Sequence, residues 1–272
     1  MTALVLFDID GTLLRRAGPH HRQALVEAVR RVTGIATTTD GIPLHGMLDP
    51  VILACMMRAA GAPRRVIREA MPEIVRAAGR HYARTCPDLT RKTCPAARAT
   101  LGKLVHHGAV LGLVTGNLTR IGWCKLDRAG LRGYFRFGAF GEMARNRDAL
   151  TRMAVREARA RGWIERASPV ALVGDAPQDI QAAQANRIRS IAVATGISTR
   201  EELAARGPDY LLATLRELRL DMAGIGGRRR ETLSILSSAL RRAVKRRGLT
   251  EKEVLADFES WRKSRPQARS RR

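Results

Sequence analysis

The sequence predicts an α/β protein of three layers: a parallel sheet with helices on both faces, a helical insertion after the first strand, and a C-terminal helical hairpin. Three observations predict it. Short apolar runs at 3–7, 109–114, 170–173 and 190–194 have the unbroken hydrophobicity of strands buried on both faces. Helical periodicity alternates with them at 95–107, 118–129, 147–161 and 178–187, the rhythm of βαβ units. Residues 15–88 break that rhythm with helix-like segments alone.

Taken in order, the first run, "ALVLF", ends in Asp8 and Asp10, one residue apart. The insertion follows, with helices expected at 20–33, 49–60 and 64–83, parted by the turn-prone "TTTDGIP" and "AGAP". "TCPDLTRKTCP" leads back to the sheet, its prolines marking helix boundaries. Weaker strand signals at 136–140 and 209–212 complete the alternation. Past Asp221 the chain runs through "GIGGRRR" into two amphipathic stretches. Leu233, Leu236, Leu240 and Val244 recur at helical spacing in the first. The second opens with Thr250 and Glu253, placed as a capping box, and carries Val254, Leu255, Phe258 and Trp261. This divides the chain into a core (1–14 and 89–223), a helical insertion (15–88) and a basic helical extension (224–272).

With 272 residues, 45% of them hydrophobic, the chain can bury a substantial core. Its formal charge of +24, nearly all of it from arginine, implies an acidic partner such as a nucleic acid, a membrane surface or a phosphorylated substrate, with the basic extension as the place where a nucleic acid or a protein would be met. An arginine-rich composition without any dedicated surface explains the charge equally well. Phe258 and Trp261 sit at helical spacing and suit a hairpin core better than base stacking. Cys55, Cys86, Cys94 and Cys124 form no C-x-x-C pair, which predicts free thiols in a reducing compartment and no zinc site. The six histidines lack metal-ligand spacing and are expected on the surface or at caps. The N-terminus opens directly on a strand, and no apolar run approaches the ~18 residues of a membrane span. A soluble cytoplasmic protein with no membrane contact is expected.

Two carboxylates at the end of a buried strand repel each other unless a cation or a donor offsets the cost. Two more motifs also end strands: "LVTGN", Leu113 to Asn117, and "LVGDAPQDI", Leu172 to Ile180. In open parallel sheets ligands bind beyond the carboxyl ends of the strands. Thr115, Gly116 and Asn117 lead into a helix, where a hydroxyl and backbone N–H groups form an anion site. Asp175 and Asp179, four apart, can face one cluster across a helical turn. Gly11 permits close backbone approach to an anion, and Thr12 can cap a turn or donate to it.

Together the three motifs resemble the signature of the haloacid dehalogenase superfamily, over about residues 3–220. The helical insertion is similar to the mobile cap of its phosphoglycolate phosphatase and β-phosphoglucomutase branch. The resemblance implies a Rossmann-like core and a Mg²⁺-dependent phosphatase acting on a small phosphorylated metabolite, phosphoglycolate-like or a sugar phosphate. Asp8 would be the nucleophile that becomes an aspartyl-phosphate; Asp10 would protonate the leaving alcohol and then deprotonate water. Asp8, Asp10 through its backbone carbonyl, Asp175 and Asp179 would hold the Mg²⁺. Gly11, Thr12, Thr115, Gly116 and Asn117 would surround the phosphoryl group. The cation that stabilises it would be Arg147, with Lys125 as rival and Arg145 third. Asp49, in the cap segment "HGMLDPVIL", would contact substrate or cap a helix. Relatives often carry Thr where this chain has Ala176 and Leu48. Asp10 argues against dehalogenation, which needs only the nucleophile. The alternatives are a phosphomutase or phosphotransferase of the same superfamily, or a nucleic-acid-binding or scaffold protein using the basic tail.

Overall fold

The structure, a computed structural model, describes residues 2–15 and 18–226. The expected C-terminal hairpin, and the nucleic-acid or protein contacts assigned to it, lie outside these residues.

Six parallel strands form one sheet: β1 (Leu4–Phe7), β2 (Val110–Val114), β3 (Phe137–Ala139), β4 (Val170–Gly174), β5 (Arg189–Val193) and β6 (Tyr210–Leu212). Their order is β3-β2-β1-β4-β5-β6. This is the doubly wound, Rossmann-like arrangement, in which the chain starts at the centre, winds outward to one edge, and returns to wind to the other. The reversal falls between β1 and β4, paired in register from Leu4↔Val170 to Phe7↔Val173.

Alternation along β1 shows why the apolar runs are continuous. Val5 and Phe7 pack into one cluster with Leu101 and Leu104 of α4 (Ala97–His106) and Ile121 and Leu126 of α5 (Thr119–Arg128). Leu4 and Leu6 face the other way, toward Leu150 and Ala154 of α6 (Arg147–Ala160) and Ala182 and Ala183 of α7 (Pro177–Ala185). Both faces are therefore covered, and a strand with a polar face would bury unpaired groups here.

The insertion folds as α1 (His20–Thr33), α2 (Asp49–Ala59) and α3 (Arg64–Thr85). Its apolar stripes carry Leu25 and Val29 from α1, Leu53 and Met56 from α2, and Ile74 and Tyr82 from α3. All of these join the same cluster as Val5 and Phe7. Residues 1–225 accordingly form one compact unit, with the insertion continuous with the core rather than hung from it. An element absent from the sequence reading is α8 (Arg200–Ala204). Its capping box was present in the letters: Glu202 N–H donates to Thr199 Oγ1 (3.1 Å) and Thr199 N–H to Glu202 Oε2 (2.9 Å).

Candidate active site

The carboxyl ends of the three central strands meet at one cleft of about 190 Å³, lined by Asp8, Asp10, Thr115, Lys125, Arg147 and Asp175 among others. Asp8 follows β1, its amide tied to the Val173 carbonyl of β4 (2.9 Å). Thr115 follows β2, and Asp175 follows β4.

Asp8, Asp175 and Asp179 are all buried, with one oxygen of each within 4.8 Å of the others. Asp175 Oδ1 accepts from Thr12 Oγ1 (3.1 Å). Asp175 Oδ2 has no hydrogen-bond donor although it is buried, and Asp8 Oδ1, also buried, has only a 3.3 Å ion pair with Arg147 Nη1 that does not reach hydrogen-bond geometry. Burial, with Asp8 and Asp179 adding repulsion, pushes the Asp175 carboxyl well above its usual range. Burial likewise raises Asp179, to about 7, against the pull of Arg147. Buried oxygens without donors, crowded by like charge, suit a hard divalent cation with oxygen ligands.

Arg147 opens α6, where a positive charge meets the unfavourable end of the helix dipole. Carboxylates hold it there: Nη1 lies 2.6 Å from Asp179 Oδ1 and 3.3 Å from Asp8 Oδ1. Burial, opposed and outweighed by Asp179 and Asp8, leaves its pKa raised, so it stays charged. Its Nε–H is buried without an acceptor. Arg145 is exposed and lines no part of the cleft.

Lys125 is only 1% exposed and sits in a separate network. Its ammonium donates to Asp10 (2.6 and 2.7 Å), to Asn117 Oδ1 (2.7 Å) and to His21 Nδ1 (3.2 Å). Asn117 Nδ2 bridges Asp10 Oδ2 (2.8 Å) and Thr115 Oγ1 (2.7 Å). Burial opposes ionisation of Asp10, but the Lys125 ammonium, with the Asn117 amide, outweighs it and holds the carboxyl below its usual range. Thr115 Oγ1 accepts from the Asn117 side chain and backbone, which leaves its hydroxyl proton to donate into the cleft.

Several expectations about individual side chains change. The Asp10 carboxylate stands apart from the acidic trio, held by Lys125 and Asn117, while the ligand expected from this residue was its backbone carbonyl. Asp179 is in the trio, but Arg147 takes Oδ1 and the Ala176 amide takes Oδ2 (3.1 Å), so it orients the arginine first. Thr12 serves Asp175, and the Asn117 side chain serves Asp10 and Lys125, rather than either facing a ligand directly. Gly11 has φ +85°, and a Cβ there would run into the Asp175 carboxylate, so glycine makes room for that side chain. Gly116 admits the Met47 carbonyl of the cap, which a Cβ would strike. Asp49 does cap a helix, though not its own. Its Oδ2 accepts the Leu118 amide at the start of α5 (2.8 Å) and meets His21 Nε2 (2.9 Å).

Two histidines expected on the surface or at caps lie in the cleft instead. His21 joins the Lys125 network, and His45 meets Ser198 Oγ at 2.8 Å, cap against core. Burial drives His45 below its ordinary value. Thr195, also unforeseen, donates to the Gly11 carbonyl (2.6 Å) and fixes the turn after Asp8 and Asp10. These pairings link residues far apart in sequence, and only the "TGN" hydroxyl and amide carried a local signal.

A doubly wound sheet with buried carboxylates, a buried arginine and a hydroxyl donor gathered at its reversal point has the architecture of an α/β enzyme whose chemistry involves an anion beside a cation. Comparison with known proteins gives the family. The chain belongs to the haloacid dehalogenase-like hydrolases, whose family model matches residues 2–186. It is 31% identical over 125 residues to a phosphoglycolate phosphatase of Synechococcus elongatus, covering 46% of this chain and 56% of that one. The chain thus spans little more than half the length of that relative. Among solved structures it is similar to CbbY from Rhodobacter sphaeroides in complex with phosphate. The TM-score is 0.61 at 23% identity, over 80% of this chain and 96% of that one. A predicted phosphoglycolate phosphatase from Haemophilus somnus superposes with TM-score 0.57 at 18% identity, over 79% and 95%. At these identities the structures speak for the fold. No helix among the described residues is long and apolar enough to cross a membrane.

Proposed function

We propose that the protein is a Mg²⁺-dependent phosphomonoesterase that works through an aspartyl-phosphate on Asp8, with a small phosphorylated metabolite as substrate. One observation carries the reading: the residues lining a single cleft contain buried acceptors without a formed hydrogen bond, Asp175 Oδ2 and Asp8 Oδ1, the latter with only the 3.3 Å ion pair to Arg147 Nη1, and a buried donor that lacks an acceptor, Arg147 Nε. The first call for a cation and the second for an anion, and a phosphoryl group beside a metal supplies both. Family membership and the phosphoglycolate phosphatase relative support the same class.

Asp8, Asp175 and the Asp10 carbonyl would hold the Mg²⁺. When bound, the ion neutralises the carboxylates and the charge on the phosphoryl oxygens. Arg147 Nε and the Thr115 hydroxyl donate to those oxygens and orient phosphorus toward Asp8. Asp8 attacks phosphorus as the ester P–O bond breaks, and Asp10 gives its proton to the leaving alcohol. In the second half Asp10 takes a proton from water, the water oxygen bonds to phosphorus, and the bond to Asp8 breaks to release phosphate. Asp10, held ionised by Lys125, is ready for this second half. Its protonated form in the first half is favoured by the dianion arriving beside it.

A cleft of about 190 Å³ suits a small substrate. Phosphoglycolate-like and sugar phosphates are the proposed class. Purified protein with Mg²⁺ is expected to hydrolyse p-nitrophenyl phosphate, and Asp8→Asn to lower the rate by at least about a thousandfold. Wild-type rates in that variant overturn the mechanism. A panel of phosphorylated metabolites then ranks the substrates.

A further inference from the structure

We infer that Lys125 is the positioning residue for Asp10, and that through His21 and Asp49 it makes proton transfer to the leaving group depend on the seated cap. The inference rests on the reading of Asp10 as acid and base given above.

An ammonium has three protons and no acceptor. All three are matched here by Asp10, Asn117 Oδ1 and His21 Nδ1, at 2.6 to 3.2 Å. Since Lys125 can only donate, His21 Nδ1 must accept, and the His21 proton therefore lies on Nε2. From there it donates to Asp49 Oδ2, which also takes the Leu118 amide. The chain of bonds runs from core helix α5 to cap helices α1 and α2 and back to α5, with Lys125 as the joint that reaches Asp10.

Burial shows which partner depends on the other. The Lys125 side chain is 1% exposed and the Asp10 side chain 42% exposed. Part of the Asp10 carboxylate is open to the cleft, so besides holding it ionised Lys125 supplies direction: a carboxylate on a turn has other rotamers open to it, and the ammonium with Asn117 leaves one. Lys125 has no hydrogen bond to the acidic trio, whose arginine is Arg147. Its one link toward the phosphoryl group runs through Asn117 to Thr115 Oγ1, and a disturbance passed along it would slow all esters alike, so the ratio between esters reads the leaving-group proton alone.

The test compares two esters on wild type, Lys125→Met and Asp10→Asn with Mg²⁺ present. An aryl ester such as p-nitrophenyl phosphate expels a stable anion and needs little acid catalysis. An alkyl phosphomonoester such as glycerol phosphate needs much. Positioned acid–base groups contribute about 10²–10⁴-fold. Lys125→Met should therefore lower kcat on the alkyl ester about a hundredfold and on the aryl ester less than about fivefold, with KM little changed. The double variant with Asp10→Asn should lose no more on the alkyl ester than Asp10→Asn alone. Equal losses on both esters, no loss on either, or additive losses in the double variant overturn the inference. Should Lys125→Met not fold, His21→Gln, whose ring is 20% exposed, is read by the same ratio: selective loss supports the chain of bonds and an unchanged ratio overturns it. Wild type inactive on both esters instead refutes the phosphatase reading beneath it.

Discussion

Arg147 and Lys125 divide between them the two charges that sequence spacing left as rivals. Each is buried, and each neutralises a different carboxylate. Removing Arg147 strands Asp8 and Asp179 together in a buried space. Arg147→Met is expected to destabilise the metal-free protein by about 3–5 kcal/mol, in the range of broken buried pairs. Part of that stability should return in mild acid as the stranded carboxyls take up protons. Urea melts at two pH values measure both effects, and a variant as stable as wild type would contradict the assignment. The acidic residues themselves were legible, because each follows an apolar run whose end can be read without tertiary knowledge. The partners of Asp10 were not, since Lys125 lies 115 positions away and His21 reaches that lysine across 104. Spacing along a chain says nothing about such meetings.

At the scale of elements, helix and strand positions followed closely from periodicity and turn residues. The insertion helices expected at 20–33, 49–60 and 64–83 form at 20–33, 49–59 and 64–85. The five-residue α8 has too few turns to register a period, although its caps were written out. Function hidden in element ends was harder to see. Asp49 stands first in α2, where an acid suits the helix's own dipole, yet its carboxylate terminates α5 across the cap boundary. Asp49→Ala leaves the Leu118 amide without an acceptor and should cost about 1–2 kcal/mol. The loss should show as a lower melting temperature and as faster proteolysis in residues 34–48. An unchanged melting temperature would mean that solvent serves that amide equally well.

For the whole molecule, Asp175 and Asp179 set a pH dependence opposite to that of most carboxylates. The folded-state pKa values of Asp175 and Asp179 are raised above the unfolded value of 3.8, Asp179 to about 7. Their contribution to stability is therefore complete below the unfolded value and is lost as pH climbs through the folded ones. His45, lowered from 6.5, acts in the reverse sense over part of the same window. A divalent ion competes with the protons on the trio. Thermal shifts with Mg²⁺ should consequently grow from about pH 5 to about pH 8, and a shift independent of pH would argue against ion binding at these carboxylates. The sheet, its reversal point and the strand-end position of the site could all be inferred from the alternation of runs. The merging of insertion and core into one apolar cluster could not, because it depends on which helix stripes meet.

The strand order also governs how the molecule comes into being. β1 is translated first, but its neighbour β4 emerges some 160 residues later, so through much of synthesis the central strand has one bare hydrogen-bonding edge. Asp8 is made early, while Asp175 and Asp179 are not yet translated. The three carboxylates come together only when β4 zips onto β1 along that edge.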